Sequence, residues 1–320
     1  MKYLITGSSG FIGAWLSKEL KGQYTGYDIV PSEWTHRVID LYGRNTARLA
    51  KDVKAQVLYY TAANAREGAS QFQPASITRD NLSAYVNTLE GFINGGGQKV
   101  ILFSSMAGYG DRKPPFDESL PFMPVDIYGW NKYAMEEITK ILCDIHGLSY
   151  VIIRPHNVFG PGQNLRDKFR NVFGIWMNQI MRGDPITIFG DGLQTRAFSF
   201  IEDSLPAYLQ AEQLENETVN IGGMVPLTIN KVAWWVMEDF SEYSPTISYH
   251  PDRPLEVKHA HCTWDKSQKL LCYNDTVGVR EGLRQMAKWA KEQGPKKWID
   301  DKLTIYSSKA PKHWYPPRNT

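Results

Sequence analysis

Short apolar runs alternate with amphipathic segments of helical length through the first half of the chain. The runs that predict β-strands are Lys2–Thr6, Tyr24–Ile29, Val57–Thr61, Val100–Phe103 and Tyr150–Ile153. The segments between them that predict helices are Phe11–Lys21, Ser76–Ile93 and Tyr128–His146. A continuous apolar strand such as residues 100–103 is typical of a parallel sheet covered on both faces. The repeated β-α-β order predicts an α/β protein with a doubly wound parallel sheet of the Rossmann type.

The second half of the chain has shorter elements, separated by loops rich in glycine and proline. Helices are predicted over Phe169–Met181 and Val279–Glu292. We expect residues 1–160 to form the Rossmann domain, with strands returning to it from about 197–223. We expect residues 161–294 to form a smaller α/β domain and residues 295–320 to form an irregular, basic and aromatic tail.

Composition narrows the functional classes. The 320 residues hold 36 Lys and Arg against 34 Asp and Glu, a balance that gives no reason to expect a nucleic-acid or membrane binder. The three cysteines, Cys143, Cys262 and Cys272, are odd in number and have no CxxC spacing, so we expect neither disulfides nor a metal site. We find no apolar stretch of about 18 residues and no signal peptide. We therefore expect a soluble, cytoplasmic protein.

A glycine-rich loop directly follows the first predicted strand. Its sequence, Gly7-Ser8-Ser9-Gly10-Phe11-Ile12-Gly13, has the spacing G-x-x-G-x-x-G and opens the first helix. Such glycines let the backbone turn sharply and approach a pyrophosphate, which then meets the free N–H groups of the helix N-terminus. Asp28 ends the second strand, where a carboxylate accepts a hydrogen bond from the adenosine ribose and repels a 2′-phosphate. The pattern predicts NAD rather than NADP.

Tyr128 and Lys132 are four residues apart on a predicted helix and therefore share one face. A free tyrosine has a pKa near ~10, but a neighbouring ammonium and the positive nicotinamide ring favour the phenolate. The pair can then take a hydroxyl proton while a hydride leaves the same carbon. The spacing alone is common by chance. Its combination with the glycine loop is what predicts a catalytic pair.

Together these motifs resemble the extended short-chain dehydrogenase/reductases, and specifically their nucleotide-sugar epimerase and dehydratase group. Further stretches that carry the resemblance are residues 57–63, 80–81, 154–161, 189–196 and 253–256. The resemblance extends from Met1 to about Leu283. It implies an NAD-dependent enzyme acting on a nucleotide-diphosphate sugar. The implied cofactor residues are Gly7, Gly10, Phe11, Ile12, Gly13, Asp28, Asp40, Leu41, Thr61, Ala62, Ala63, Asn81, Ser104, Tyr128, Lys132 and Pro155.

The family's third catalytic residue is a Ser or Thr after the fifth strand, in a loop that is one residue shorter here. Aligned from Tyr109-Gly110, Ser105 takes that position; aligned from Phe103, Met106 does. Methionine is no donor for a sugar oxygen. We therefore predict Ser105, with Ser104 as the reserve candidate.

The residues in this loop differ between family members that catalyse different reactions. Family dehydratases carry an Asp-Glu pair there, decarboxylases a Glu and GDP-mannose 3,5-epimerases a Cys, whereas this chain has Met106, Ala107 and Gly108. The resemblance therefore favours a C4 epimerase working through a transient 4-keto sugar. The alternatives are an NAD(P)H-dependent 4-keto-sugar reductase, another nucleotide-sugar oxidoreductase, or a non-catalytic nucleotide-binding protein.

The resemblance also implies the substrate contacts and the assembly. Asn157 and Asn171 are expected near the phosphates, Arg196 and Arg253 on the diphosphate, and Glu256 on the nucleotide ribose. Relatives usually dimerise through the helices that correspond here to residues 76–93 and the helix from Tyr128. On the second of these, an apolar stripe predicts a homodimer interface. The stripe comprises Met135, Ile138, Ile141, Leu142 and Ile145.

Overall fold

A seven-stranded parallel sheet organises the computed structural model, which describes residues 2–43, 45–300, 303–311 and 314–315. The sheet contains β1 (Tyr3–Thr6), β2 (Tyr24–Asp28), β3 (Arg37–Val38), β4 (Val57–Tyr60), β5 (Lys99–Phe103), β6 (Ser149–Pro155) and β11 (Glu217–Ile221). Its spatial order is β11-β6-β5-β4-β1-β2-β3, and every neighbouring pair is parallel. The order reverses direction beside β1, where a doubly wound sheet opens a crevice for ligands. The predicted fold class is confirmed.

Helices cover both faces of this sheet and also pack on smaller sheets in the second half of the chain. They are α1 (Phe11–Glu19), α2 (Thr46–Val53), α3 (Pro74–Thr78), α4 (Ala84–Asn94), α5 (Ile127–His146), α6 (Val172–Met181), α7 (Ile201–Gln210), α8 (Ile229–Asp239), α9 (Asp265–Leu271) and α10 (Gly278–Gln293). Side chains alternate between two hydrophobic clusters along the strands: Ile5 and Ile101 enter one, while Leu4 and Leu102 enter the other. Burial on both faces explains why the central strands are continuously apolar.

Smaller sheets lie in the second half of the chain. They comprise β7 (Val158–Phe159) with β10 (Ser199–Phe200), β8 (Ile186–Phe189) with β13 (Ile247–His250), and β9 (Thr195–Ala197) between β12 (Pro226–Thr228) and β14 (His259–Ala260). In the tail, the backbone N–H groups of Thr304 and Ile305 donate to the carbonyl of Phe72. Among the described residues, no helix is both long enough and apolar enough to cross a membrane.

Two predicted helices differ in detail from the observed ones. The segment predicted as one helix over residues 76–93 is α3 and α4, joined by a π-helical turn over Arg79–Ser83. The helix predicted from Phe169 begins only at Val172, because Asn171 has a φ of +63° and cannot be part of it. The two irregular sites contain Asn81 and Asn171, which the family resemblance implies as cofactor and substrate residues. Distortions of this kind tend to occur at functional sites.

Candidate active site

The glycine loop between β1 and α1 packs too closely against its surroundings for side chains. A Cβ on Gly7, whose φ is +69°, would lie 2.8 Å from the Cα of Ala62, and one on Gly13 would lie 2.0 Å from the carbonyl oxygen of Gly7. Gly10 caps α1 with no side-chain hydrogen bond. The amide groups of Phe11 and Ile12, at the start of α1, have no acceptor among the described residues. This cradle fits a pyrophosphate.

Asp28 stands at the end of β2, beside the glycine loop. Its Oδ2 atom accepts from the backbone N–H of Ser9 and its Oδ1 atom from that of Val30, both at 2.9 Å. The two bonds fix the carboxylate, and each oxygen keeps a free lone pair. The carboxylate therefore lies beside the phosphate cradle with capacity to accept from a ribose hydroxyl.

The other residues implied for the cofactor surround the same strand ends. The Thr61 hydroxyl donates to the carbonyl of Thr6 at 2.6 Å and thereby ties the end of β4 to the end of β1. Asn81 is fully buried; its Oδ1 accepts from the N–H of Asn64 and its Nδ2 donates to the carbonyls of Asn64 and Ile77. Asn81 thus shapes the loop after β4 and has an indirect role. The remaining members lie as follows: Ala62 and Ala63 after β4, exposed Asp40 and buried Leu41 after β3, and Pro155 as the last residue of β6.

The two serines after β5 have different partners. The Ser104 hydroxyl donates to Oε1 of Glu136 at 2.5 Å, and Glu136 is held by Arg154 through two N–H···O bonds of 3.0 and 2.7 Å. The Ser105 hydroxyl oxygen accepts from the N–H of Ala107 at 3.1 Å and lies within hydrogen-bonding reach of Tyr128. The structure thus brings Ser105, and not Ser104, to Tyr128.

Tyr128 and Lys132 lie one turn apart on α5, which begins at the capping residue Asp126. Burial raises the pKa of the Tyr128 hydroxyl, the negative charge of Glu67 raises it further, and the hydrogen bond with Ser105 lowers it. Lys132 lies 5.7 Å from the Tyr128 ring centroid, and its Nζ atom donates to the carbonyl of Phe103 at 2.8 Å. Burial lowers the pKa of Lys132 to about 7. With a pKa near neutrality, Lys132 is only partly charged at pH 7, and its Nζ atom keeps hydrogens that the Phe103 carbonyl does not use.

A cavity of about 920 Å³ opens beside this candidate catalytic group, and its wall includes Met106, Ala107 and Asp126, which are close neighbours of Ser105 and Tyr128 in the sequence. Its walls include all five residues implied for the substrate, which are Asn157, Asn171, Arg196, Arg253 and Glu256. Met106 and Ala107 contribute from the loop after β5. The structure therefore brings the serine loop and the second half of the chain to one site.

The two arginines implied for the diphosphate share one carboxylate partner, Glu256, inside this cavity. Nη2 of Arg196 donates to Oε1 of Glu256 at 2.9 Å, and Nε of Arg253 donates to Oε2 at 2.7 Å. Glu256 thus brings the two guanidinium groups to one region of the cavity. Arg196 also donates to the backbone carbonyls of Val257 and Lys258, so its terminal N–H groups are engaged by the protein. Both oxygens of Glu256 are engaged, so a ribose hydroxyl would have to share them.

Sequence reasoning missed several residues of the cavity. Glu67 and Asp126 bring carboxyl groups to the cavity from elements outside the serine loop, where the motif search had looked for acids. Arg170 lines it as well, and its charge lowers the pKa of Tyr128. Trp298 and Trp314 form part of the wall from the tail, which has no periodicity to reveal its position. Asp126 could have been identified from the sequence, because an Asp just before the start of a predicted helix is a typical N-cap.

Comparisons with known proteins identify the family of the chain. Residues 3–222 match the model of the NAD dependent epimerase/dehydratase family. An uncharacterised UDP-glucose epimerase of Bacillus subtilis is 28% identical over 88% of this chain and 96% of its own.

Two solved structures have the same fold over nearly their whole length. The UDP-glucuronic acid 4-epimerase of Bacillus cereus, in complex with UDP-glucuronic acid and NAD, is 27% identical, with a TM-score of 0.81 over 92% of this chain and 100% of that one. The UDP-glucose 4-epimerase of Thermotoga maritima, with UDP-glucose, is 25% identical, with a TM-score of 0.84 over 92% and 99%. The predicted resemblance is confirmed: the chain belongs to the NAD-dependent epimerase/dehydratase family.

Proposed function

We propose that this protein epimerises a nucleotide-diphosphate sugar at C4 through a transient 4-keto intermediate. The observation that carries the proposal is the grouping of Ser105, Tyr128 and Lys132 beside a cavity that also holds paired arginines. Both the Bacillus cereus and the Thermotoga maritima structures bear the name of a 4-epimerase. No acid stands in the loop after β5, where family dehydratases and decarboxylases carry one.

NAD fits the residues at the crevice. We propose that Gly7, Gly10, Phe11, Ile12 and Gly13 hold its pyrophosphate and that Asp28 holds the adenosine ribose. When bound, NAD supplies the hydride acceptor and returns the hydride, so no outside reductant is consumed. The fit rests on the close packing of Gly7 and Gly13 and on the free amide groups that open α1.

In the proposed mechanism, Tyr128 takes the proton of the sugar O4 hydroxyl and later returns it. Ser105 donates its hydroxyl hydrogen to the same sugar oxygen, because its own oxygen is oriented by the N–H of Ala107. Lys132 stabilises the phenolate with its positive charge. The 4-keto sugar must turn over within the cavity, and a volume of about 920 Å³ leaves room for this movement. Asn157, Asn171, Arg196, Arg253 and Glu256 would hold the nucleotide and diphosphate while the sugar turns.

The alternative is a 4-keto-sugar reductase on the same scaffold, and one experiment separates the two. The purified protein is incubated with UDP-, GDP-, dTDP- and CDP-sugars without added reductant, and the products are followed by proton NMR. The epimerase yields the C4 epimer, whose ring couplings differ, with no change in nucleotide content. A reductase gives no product under these conditions and consumes reduced cofactor only with a 4-keto sugar. No conversion of any sugar in either format would overturn the proposal.

We also propose a homodimer. On α5, Met135 is buried against the protein's own sheet, whereas Ile141 and Ile145 are 56% and 68% exposed. Two exposed isoleucines one turn apart give a self-complementary apolar patch, which a two-fold dimer buries on both chains. Light scattering should give about 73 kDa, twice the chain mass of 36.5 kDa. A monomer mass at micromolar concentration would contradict the dimer.

We also propose that the protein is cytoplasmic and that the chain is divided into two domains. All three cysteines are free, and Cys272 is exposed, which suits a reducing compartment. We propose that residues 1–160, with the strand returning at Glu217–Ile221, serve NAD, and that residues 161–294 serve the nucleotide sugar.

A further inference from the structure

The tail is fastened to the protein beside α6. The side chain of Asn178, which is fully buried on α6, bonds to the backbone of Lys296 in both directions: its Oδ1 atom accepts from the N–H at 2.8 Å, and its Nδ2 atom donates to the carbonyl at 3.1 Å. The N–H of Ile299 donates to the carbonyl of Arg166 at 2.9 Å. The backbone on both sides of Trp298 is therefore fixed, although the family resemblance ends before the tail begins.

Trp298 differs from the other tryptophans of the cavity wall. The ring N–H of Trp176 donates to the carbonyl of Thr187 at 2.8 Å, and the ring of Trp314 packs among phenylalanines. Trp298 is only partly buried and lines the cavity. Among the described residues, its indole joins no hydrophobic cluster, faces no other ring or cation and donates no hydrogen bond. Such an indole offers a flat apolar face to a ligand in the cavity.

The cavity wall beside Trp298 is distant in the fold from the candidate catalytic group. Tyr128 belongs to α5, whereas α6 and the tail contribute no candidate catalytic residue. Asn171, the N-cap of α6, is expected near the phosphates, and Asn178 lies two turns, or about 10 Å, farther along the helix. In a nucleotide sugar, the base and the sugar lie on opposite sides of the diphosphate. A sugar at Tyr128 therefore leaves α6 and the tail as the wall for the base.

We propose that the tail completes the nucleotide end of the cavity and that Trp298 stacks on the base of the bound nucleoside diphosphate. The inference rests on the proposed function, because that function places the sugar ring beside Tyr128. Every base has a flat π-face, so this stacking contributes affinity for the nucleotide without selecting one base. Trp298 takes no part in the transfer of the proton or the hydride at C4.

The test uses nucleoside diphosphates that carry no sugar. UDP, GDP, dTDP and CDP are titrated by calorimetry into the NAD-loaded protein, so that the cofactor crevice is already filled, and the tightest of the four is kept as the probe. The variants are Trp298→Ala, Trp298→Phe, which keeps a flat ring, and Trp298→Leu, which keeps an apolar side chain without one. Trp234→Ala is the control, because Trp234 is 62% exposed on α8 and does not line the cavity.

We expect Trp298→Ala and Trp298→Leu to weaken the probe about 5–150-fold, the usual contribution of stacking one base on an aromatic ring. The nucleotide sugar should be weakened by the same factor, which raises KM and leaves kcat unchanged. Trp298→Phe should retain most of the affinity. NAD affinity and Tm should stay close to those of the unmodified protein in every variant, because the indole packs against no cluster, and Trp234→Ala should change none of these quantities.

Several outcomes would overturn the inference while leaving the proposed function intact. They are epimerisation by a protein whose probe affinity does not depend on Trp298, equal retention of affinity by Trp298→Leu and Trp298→Phe, or a parallel loss of NAD affinity. Weaker binding of the nucleotide sugar alone would place the ring against the sugar and would also overturn it. If no sugar is epimerised while the probe still requires an aromatic ring at this position, the base contact stands and the proposed reaction fails.

Discussion

The hydroxyl of Ser104 donates to the carboxylate of Glu136, which is itself locked to Arg154 at 2.7 Å. Glu136 is a fully buried residue of α5, so this bond links the end of β5 to that helix and gives Ser104 a structural role. The next residue, Ser105, turns the other way and reaches Tyr128. One backbone step therefore separates a structural serine from the proposed catalytic one.

This difference gives the first prediction. Ser105→Ala should lower kcat about 10–100-fold with little change in stability, because one hydrogen bond to a charged group is lost. Ser104→Ala should instead lower Tm, because the buried Glu136–Arg154 pair loses a donor. Steady-state kinetics and thermal unfolding of both variants check this. Met106→Ala serves as the control for the loop and should retain most activity; a larger loss there than in Ser105→Ala would contradict the assignment.

Tyr128→Phe tests the proton acceptor. The variant should lose epimerisation about 10²–10⁴-fold while NAD remains bound, because only the hydroxyl is removed from a ring that stays packed. Turnover is measured by NMR and bound NAD by absorbance of the released nucleotide. Lys132→Met is a useful companion, because it removes the ammonium beneath the ring and should shift the pH at which the remaining activity rises. Near-normal turnover in Tyr128→Phe would refute the mechanism.

Asp28→Ala tests the choice of cofactor. The protein should lose its preference for NAD over NADP, because the ribose contact and the repulsion of a 2′-phosphate disappear together. The backbone N–H groups of Ser9 and Val30 also lose their acceptor, so Asp28→Asn is the matched variant that keeps one acceptor without the charge. Affinities for both dinucleotides provide the measurement. Unchanged selectivity in both variants would place the ribose contact elsewhere.

The sheet and the cofactor loop were predictable because local periodicity encodes them. A continuous apolar strand such as β5 can be recognised from a few consecutive residues. The same is true of the glycines where a Cβ would collide with the backbone. The irregular points were not predictable in this way. The π-helical turn at Arg79–Ser83 accompanies the bonds from Asn81 to Asn64, a contact between residues 17 apart.

The candidate site was only half predictable for a related reason. Ser105, Tyr128 and Lys132 belong to local motifs, so the sequence identifies them as candidates. Glu67 enters the cavity from a 3₁₀ helix, and its relation to Tyr128 exists only after the chain has folded. The residues of the loop after β5 therefore give no indication of Glu67 or Asp126.

Asp126 should make stability depend on pH. In the native state its pKa is raised to about 8, whereas an unfolded Asp titrates near ~4. Between these values the native state binds more protons than the unfolded state, so this group makes the free energy of unfolding fall as pH rises. The slope is at most about 1.4 kcal/mol per pH unit.

Asp126→Asn removes that titration while its side-chain oxygen still caps α5 through the N–H of Gly129. The difference in unfolding free energy between the two proteins should therefore grow in favour of the variant from pH 5 to pH 8. Urea unfolding at each pH measures it. A difference that is constant over this range would mean that Asp126 is ionised throughout.

Trp314 should support one wall of the cavity from the tail. Its ring is 2% exposed and meets Phe72, Phe169 and Phe189 at centroid distances of 6.3, 5.3 and 6.2 Å. Phe72 ends the 3₁₀ helix that carries Glu67, and Phe169 precedes Arg170 in the cavity wall. The tryptophan thus holds together two segments that line the cavity, while the glycine loop lies elsewhere.

Trp314→Ala should therefore raise KM for the nucleotide sugar more than it lowers kcat, and leave NAD affinity unchanged. Loss of a buried tryptophan also costs about 3–5 kcal/mol of stability, so assays belong well below the new Tm. Trp314→Phe should restore most of the sugar affinity because it keeps an aromatic ring among the three phenylalanines. Trp234→Ala, at a position that is 62% exposed on α8, is the control and should behave like the unmodified protein. If Trp314→Ala weakens NAD and sugar binding equally, the tail stabilises the whole fold and has no particular role at the cavity.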